Sequence, residues 1–331
     1  MKAIIPVAGA GTKLRPLTYT QPKPLIPVAG KPIIAFLIDD LVKAGVDEFV
    51  FVIGYLGEKI KNFVEERYPK LEKTFVYQHS REGLGHAIWT AKKNIKDAKE
   101  LIIVLGDTIF DVNLKKFLAN RQSCLAIKKV TDPRNFGVVE FDQEGLVKKV
   151  VEKPRIPKSN MAMVGIYKIN EVKALLKILD SNIKNNVKTL GEFQLTDAIM
   201  GMIEKGIHFT THEVNNWFDC GQKGVLLETN ASLLEKNGFA KKRLPKFDNT
   251  IIIQPVAIGK GCKIKNSIIG PHVTIGNNTM IEEAIVKDSI IGNYASIKEV
   301  VLQKSVVGND AAITGLRQSL NIGDNTEIDF S

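Results

Sequence analysis

Apolar residues fall along this chain in three rhythms, and each marks a different kind of structure. In the first part, near-continuous apolar runs alternate with stretches whose apolar residues recur every three or four positions. Ala3–Val7, Glu48–Ile53, Thr74–Gln78 and Leu101–Leu105 read as strands, and Pro32–Ala44, Ile60–Arg67 and His86–Lys93 as helices. Strands that are apolar on both faces and separated by helices predict a parallel sheet covered on both sides. Ligands of such sheets bind at the carboxyl ends of the strands. That places the Gly-rich turn after Ala3–Val7 and Asp107, just beyond Leu101–Leu105, on one edge.

The middle part changes character. Ala126–Lys129, Gly137–Phe141, Leu146–Glu152, Met163–Lys168 and Phe209–Val214 read as strands, with Asp142–Gly145 as a turn. Val172–Leu179 and Leu195–Lys205 read as helices. This order suggests an insertion over the open end of the sheet, forming the far wall of a cleft.

The third rhythm begins beyond a basic linker, Lys241–Asp248. An apolar-Gly-x-x-x-x-Ile phrase recurs at Ile258–Ile264, Ile269–Ile275, Ile275–Ile281, Ile291–Ile297, Val307–Ile313 and Ile322–Ile328. A six-residue step of this kind fits stacked β-helix coils that bury an Ile/Val column. The phrases resemble left-handed hexapeptide helices, and the handedness comes from that resemblance. The reading gives two domains, 1–240 and 241–331.

Composition narrows the partners. The chain has 331 residues, 44% hydrophobic content and a formal charge of +10. Its lysines are scattered, apart from Lys241-Lys242-Arg243, and no nucleic-acid-binding motif is present. The expected partners are phosphorylated small molecules, with neither nucleic acid nor membrane. Three cysteines, Cys124, Cys220 and Cys262, imply no disulfide framework and have no zinc spacing. No apolar run is long enough to span a bilayer, and the first strand begins without an apolar signal core. A cytoplasmic location is expected.

The densest chemistry lies between Ala8 and Pro27, AGAGTKLRPLTYTQPKPLIP. Gly9 and Gly11 are expected to permit positive φ and close approach of a phosphate to backbone N–H groups. Lys13, Arg15 and Lys23 add positive charge, and the prolines flanking Lys23 fix where it points. This segment resembles the GxGTRLxPLT and PKPLxPV signature of the sugar-1-phosphate nucleotidyltransferases. The likeness runs through the N-terminal two thirds, and is strongest to the long-form glucose-1-phosphate thymidylyltransferases. One position departs: Lys13 stands where the family has Arg, replacing a planar fork with a point charge.

The resemblance implies a Rossmann-like, mostly parallel α/β sheet with helices on both faces, followed by a left-handed parallel β-helix. It implies attack by a sugar 1-phosphate on the α-phosphorus of a nucleoside triphosphate, releasing pyrophosphate. Such chemistry needs cations and N–H donors rather than a covalent nucleophile. Magnesium is the implied cofactor, held by Asp107 of LGDTIF and Asp219 of WFDCG. Lys13, Lys23, Asp107 and Lys153 are the implied catalytic residues. Ala8, Gly9, Gly11, Thr12, Lys13, Gln78 and Gly83 would bind the nucleotide, with Gln78 and the Glu82–Gly85 loop reading a pyrimidine. Gly137, Glu152, Lys153, Val164 and Thr196 would bind the sugar phosphate. His79 and His86 read as structural.

dTTP with glucose 1-phosphate is the expected pair. UTP is close behind, since one methyl discriminates little, and GTP with mannose 1-phosphate follows. Two other classes compete. A non-catalytic sugar-nucleotide-binding subunit is marked only by Lys13. A second, acyltransferase activity in the β-helix would look to His272, and packing of subunits is preferred there. A homo-oligomer, dimer or tetramer, is expected.

Overall fold

The computed structural model describes residues 1–239 and 243–315. It separates into two compact units: Met1–Ile26 with Lys31–Thr229, and Pro27–Gly30 with the chain from Asn230 onward.

The first unit is built on a nine-stranded sheet. Lys2–Val7 lies between Glu48–Ile53 and Leu101–Val104, and Glu72–Tyr77 pairs beyond Glu48–Ile53, all in parallel. Alternation along Lys2–Val7 sends Ile4 to one core cluster and Ala3, Ile5 and Val7 to the other. Helices Ile33–Lys43 and Gly57–Arg67 cover the second face, and Leu84–Thr90, Val172–Lys184 and Leu195–Glu204 the first. This double burial is why the strands carry apolar residues at almost every position.

The middle strands do not form a separate insertion. Met161–Ile169 pairs antiparallel with Leu101–Val104, and thereby joins Gly137–Phe141, Val147–Glu152 and Ser123–Lys129 to the same sheet. Phe209–Glu213 completes it, parallel to Ser123–Lys129. The sheet is therefore mixed, with its parallel part centred on Lys2–Val7. A separate two-stranded ribbon, Thr108–Asp111 against Asn216–Asp219, follows none of the three rhythms of the sequence. Helices Leu114–Leu118 and Lys223–Lys236 were also not foreseen.

The second unit contains three four-stranded parallel sheets, one per face of a β-helix. The first face stacks Ile251–Ile252, Ile268–Ile269, Ile285–Lys287 and Val301–Gln303. Inward-facing Ile264, Ile281 and Ile297 stand in register on another, inside a buried Ile/Val column. Polar contacts repeat with the coils. Asn277 Oδ1 accepts from Lys260 N, Asn293 Oδ1 from Asn277 N, and Asn309 Oδ1 from Asn293 N, at separations of 17, 16 and 16 residues. A Cβ on Gly276 would sit 2.5 Å from Asn293 N, and Gly259 and Gly292 likewise make room for Asn277 and Asn309 stacked on them. Each coil is thus shorter than three full hexapeptides, which accounts for the irregular repeat. Ile322–Ile328, with part of the basic linker, lies outside the described residues.

Candidate active site

A cleft of about 950 Å³ opens at the carboxyl ends of the parallel strands in the first unit. Its floor is the loop after Lys2–Val7. Gly11 takes φ 61°, in the left-handed region, and the chain then closes into a short 3-10 turn, Thr12–Leu14. Thr18 Oγ1 donates to Gly11 O at 2.8 Å, and a Cβ on Gly11 would come 3.0 Å from Thr18 and 3.2 Å from Lys23. Gly11 is therefore required both by its dihedral and by its neighbours. Gly9 differs from expectation: it has no positive φ, and the space where a Cβ would stand is free of protein atoms. Its smallness keeps the cleft open rather than making the turn.

Lys23 lies at the centre. Its side chain is 9% exposed, and Nζ donates to Asp107 Oδ2 at 2.6 Å and to Asp219 Oδ1 at 3.2 Å. Burial alone lowers a lysine pKa, but the two carboxylates outweigh it and hold Lys23 above its ordinary value. The two acids, far apart in sequence, meet because of the unexpected ribbon. Asp219 pairs with Thr108, whose neighbour is Asp107. Both carboxylates stay partly open to the cleft, at 38% and 48% exposure. An all-oxygen donor pair beside a cleft suits a hard dication that takes its remaining ligands from phosphates and water. Among the described residues no group of three or more potential metal ligands occurs, so protein alone would not complete such a shell. Cys220, next to Asp219, is buried, and that burial pushes its thiol up to about 12; it contributes no nucleophile.

On the opposite side, Glu152 and Lys153 end the strand Val147–Glu152. Lys153 Nζ is 3.4 Å from Glu152 Oε1, and Thr196 Oγ1 donates to Glu152 Oε2 at 3.1 Å. Lys153 adopts φ 41° immediately before Pro154, a strained conformation for a non-glycine residue. Gly137 lies behind this pair, with Glu152 Oε2 and Thr196 Cγ2 within 3.3 Å of a notional Cβ. Thr196 and Gly137 thus shape Glu152 and do not line the cleft themselves. The side chain of Val164 belongs to the core, at 1% exposure.

The remaining wall is the loop after Glu72–Tyr77. Gln78 is buried and lines the cleft with Arg81 and Gly83. Gly83 has φ 102°, and a Cβ there would come 2.6 Å from Phe193 O. Gly83 serves the packing of this loop against the 192–194 segment. Ala8, Thr12 and Lys13 line the cleft. Arg15 does not; its guanidinium stacks over Tyr19 at 4.9 Å. It leaves Lys13 as the cation of the glycine loop. Arg81 and Gln194 also face the cleft, although neither belongs to a recognisable motif of the sequence. Nothing in their spacing distinguishes them from surface residues, and only the fold brings them to this wall.

A glycine loop, a lysine between two acids and a second lysine thus line one cleft at the ends of the parallel strands, an arrangement of cations and N–H donors suited to anionic groups. The model for Nucleotidyl transferase matches residues 2–236, most of the chain. The chain belongs to the nucleotidyl transferase family. A second model, for the GlmU-like C-terminal hexapeptide, matches residues 239–329. Among relatives, the bifunctional protein GlmU of Methanocaldococcus jannaschii is 38% identical over 79% of this chain; the match spans 61% of that protein's length. The low-salt glycan biosynthesis nucleotidyltransferase Agl11 of Haloferax volcanii is 29% identical over 88% of this chain and 87% of its own. Glucose-1-phosphate thymidylyltransferase of Streptomyces griseus is 28% identical with the same coverage. The chain also shares its fold with a UDP-glucose pyrophosphorylase crystallised with UDP-glucose. The TM-score is 0.62 at 24% identity, covering 71% of this chain and 98% of that one. These likenesses place the cleft in a nucleotidyl transferase scaffold with a left-handed hexapeptide β-helix behind it in sequence.

Proposed function

We propose that this nucleotidyl transferase is a sugar-1-phosphate nucleotidyltransferase, with dTTP and glucose 1-phosphate as the preferred pair and UTP as the nearest competitor. The observation that carries the reading is the meeting of Lys23, Asp107 and Asp219 at a cleft floored by the glycine loop. Glucose-1-phosphate thymidylyltransferases among the relatives span most of the chain and support the choice of substrates.

In this mechanism the glycine loop, Thr12 and Lys13 receive the triphosphate, and Gln78 faces the base. Glu152 takes sugar hydroxyls, and Lys153 holds the sugar phosphate. A phosphate oxygen of the sugar 1-phosphate attacks the α-phosphorus. The new O–P bond forms as the bond to the β-phosphate oxygen breaks, and the electron pair leaves with pyrophosphate. No proton must be removed, because the attacking phosphate is already ionised. Lys23, held cationic by its carboxylate partners, screens the approach of two anions. Asp107 and Asp219 would hold magnesium, which when bound neutralises phosphate charge.

We assign the division of labour to the expected domains, 1–240 for chemistry and 241–331 for assembly as a dimer or tetramer in the cytoplasm. His272 supports a packing role for the β-helix rather than acyl transfer. Its Nδ1 and Nε2 are each 3.0 Å from a carboxylate, Asp288 and Glu235, leaving neither nitrogen open to act as a base. No helix among the described residues is long and apolar enough to cross a membrane.

The test is pyrophosphate release with magnesium, crossing dTTP, UTP, GTP, ATP and CTP with glucose, galactose, mannose and N-acetylglucosamine 1-phosphates. One preferred pair, lost on Asp107→Ala, is expected. Binding of a sugar nucleotide without turnover of any pair would instead favour a regulatory subunit.

A further inference from the structure

His86 stands in the first turn of the helix Leu84–Thr90, behind Gln78, and does not line the cleft. Gln78 Nε2 donates to Gly83 O at 3.2 Å and lies 2.9 Å from His86 Nδ1. An amide nitrogen has two hydrogens and no lone pair to give, so Nδ1 must be the unprotonated, accepting nitrogen of the ring. Gly83 O, also an acceptor, fixes the same orientation of the amide from a second direction. A flip of the side chain would set Oε1 against the Gly83 carbonyl, which can only accept. With its two hydrogens used inside the protein, Gln78 has its carbonyl oxygen left for a ligand. Among the described residues Oε1 makes no hydrogen bond.

We propose that His86 is a positioning residue that fixes the polarity of Gln78, so that the cleft presents an acceptor to the base and selects pyrimidines whose ring edge carries an N–H. This rests on the nucleotidyl-transfer reading, with Gln78 at the base. Uracil and thymine have that donor at N3, whereas cytosine has a lone pair there. Setting Oε1 against the cytosine lone pair leaves two acceptors facing each other, a cost comparable to an unsatisfied buried polar group.

The surroundings keep the ring in this role. His86 stacks on Trp89 at 5.7 Å and on Phe193 at 6.3 Å, both within about 30° of parallel. Phe193 is itself tied to the loop, since Gly85 N donates to Phe193 O and Phe193 N to Glu82 O, each at 2.8 Å. The charged groups facing the ring are Glu82 of its own loop and Lys188 of the facing segment, paired at 3.0 Å. Burial leads and holds the imidazole pKa below the ordinary histidine value, with Lys188 adding to it; Glu82 and the Ser80 carbonyl oppose. Nδ1 therefore stays an acceptor through the neutral range. In acid, a proton on Nδ1 would meet the Gln78 amide hydrogens, break the contact and free the amide to turn.

The experiment is calorimetric titration of the full chain with UTP, dTTP and CTP in magnesium, at pH 7.5 and pH 5, with KM and kcat measured alongside. Wild type is expected to bind UTP or dTTP about 10- to 100-fold more tightly than CTP at pH 7.5, with the ratio falling as acid protonates the ring. His86→Phe keeps the stack but has no acceptor; its ratio should fall to within about threefold, with the loss carried by KM for the triphosphate. His86→Asn offers Oδ1 where Nδ1 stood; it should restore the ratio and hold it at both pH values. An unchanged ratio in His86→Phe, or CTP binding equal to UTP in wild type, overturns the proposal. Where His86→Phe melts early, His86→Asn decides alone, since the same acid loss as wild type sinks the idea. Absence of nucleotide binding by wild type overturns the nucleotidyl-transfer reading as well, and is separable from these outcomes.

Discussion

The two units handle polar groups in opposite ways. In the first, the decisive contacts join residues remote in sequence: Lys23 meets acids 84 and 196 positions away. In the β-helix, the backbone bonds of Asn277, Asn293 and Asn309 recur one coil apart. Convergence produces one place with a unique charge pattern, which chemistry requires. Repetition spreads equivalent contacts over every coil, which gives a stable column and no single centre. The base of the β-helix departs from its own repetition. There buried Asn230 accepts from Ala29 N and Thr274 Oγ1 and donates to His272 O.

This contrast is sharpest in variants that separate activity from stability. Asp107→Ala should reduce pyrophosphate release by about a thousandfold while leaving the melting temperature near that of wild type. A large drop in melting temperature would mean that the acid–lysine cluster holds the fold rather than serving the reaction. Ile281→Ala, inside the β-helix column at 1% exposure, should behave in reverse. It should cost about 2–5 kcal/mol in denaturant unfolding with nucleotide affinity retained. Equal loss of affinity would blur the distinction between the units. Asn230→Ala removes a side chain that satisfies two donors and one acceptor. A cost of about 1–3 kcal/mol is expected, read as a lower unfolding midpoint of the β-helix by hydrogen exchange, and Asn277→Ala should cost less. The smallest effect belongs to Lys13→Arg. A forked cation on the glycine loop should lower KM for the triphosphate about two- to fivefold; a rise would show that the loop is shaped around lysine.

Much of this was legible before the fold. The Gly-rich segment, the PKP lysine, the two acids and the hexapeptide step each depend on local rules: a positive φ at Gly11, a stiffened backbone at Lys23, a glycine under each stacked Asn. The ribbon of Thr108–Asp111 and Asn216–Asp219 was not legible, nor was the addition of the middle strands to the main sheet. Their short apolar stretches look like loops until a distant partner supplies hydrogen bonds. The same holds for His86, which in sequence is a histidine without ligand spacing. Sequence by itself determined which residue types were available and how the backbone turns near them. Only the tertiary structure decided which of them touch, because strand pairing and burial bring together groups that no local periodicity relates. The Lys23 cation between two acids is the product of that long-range pairing.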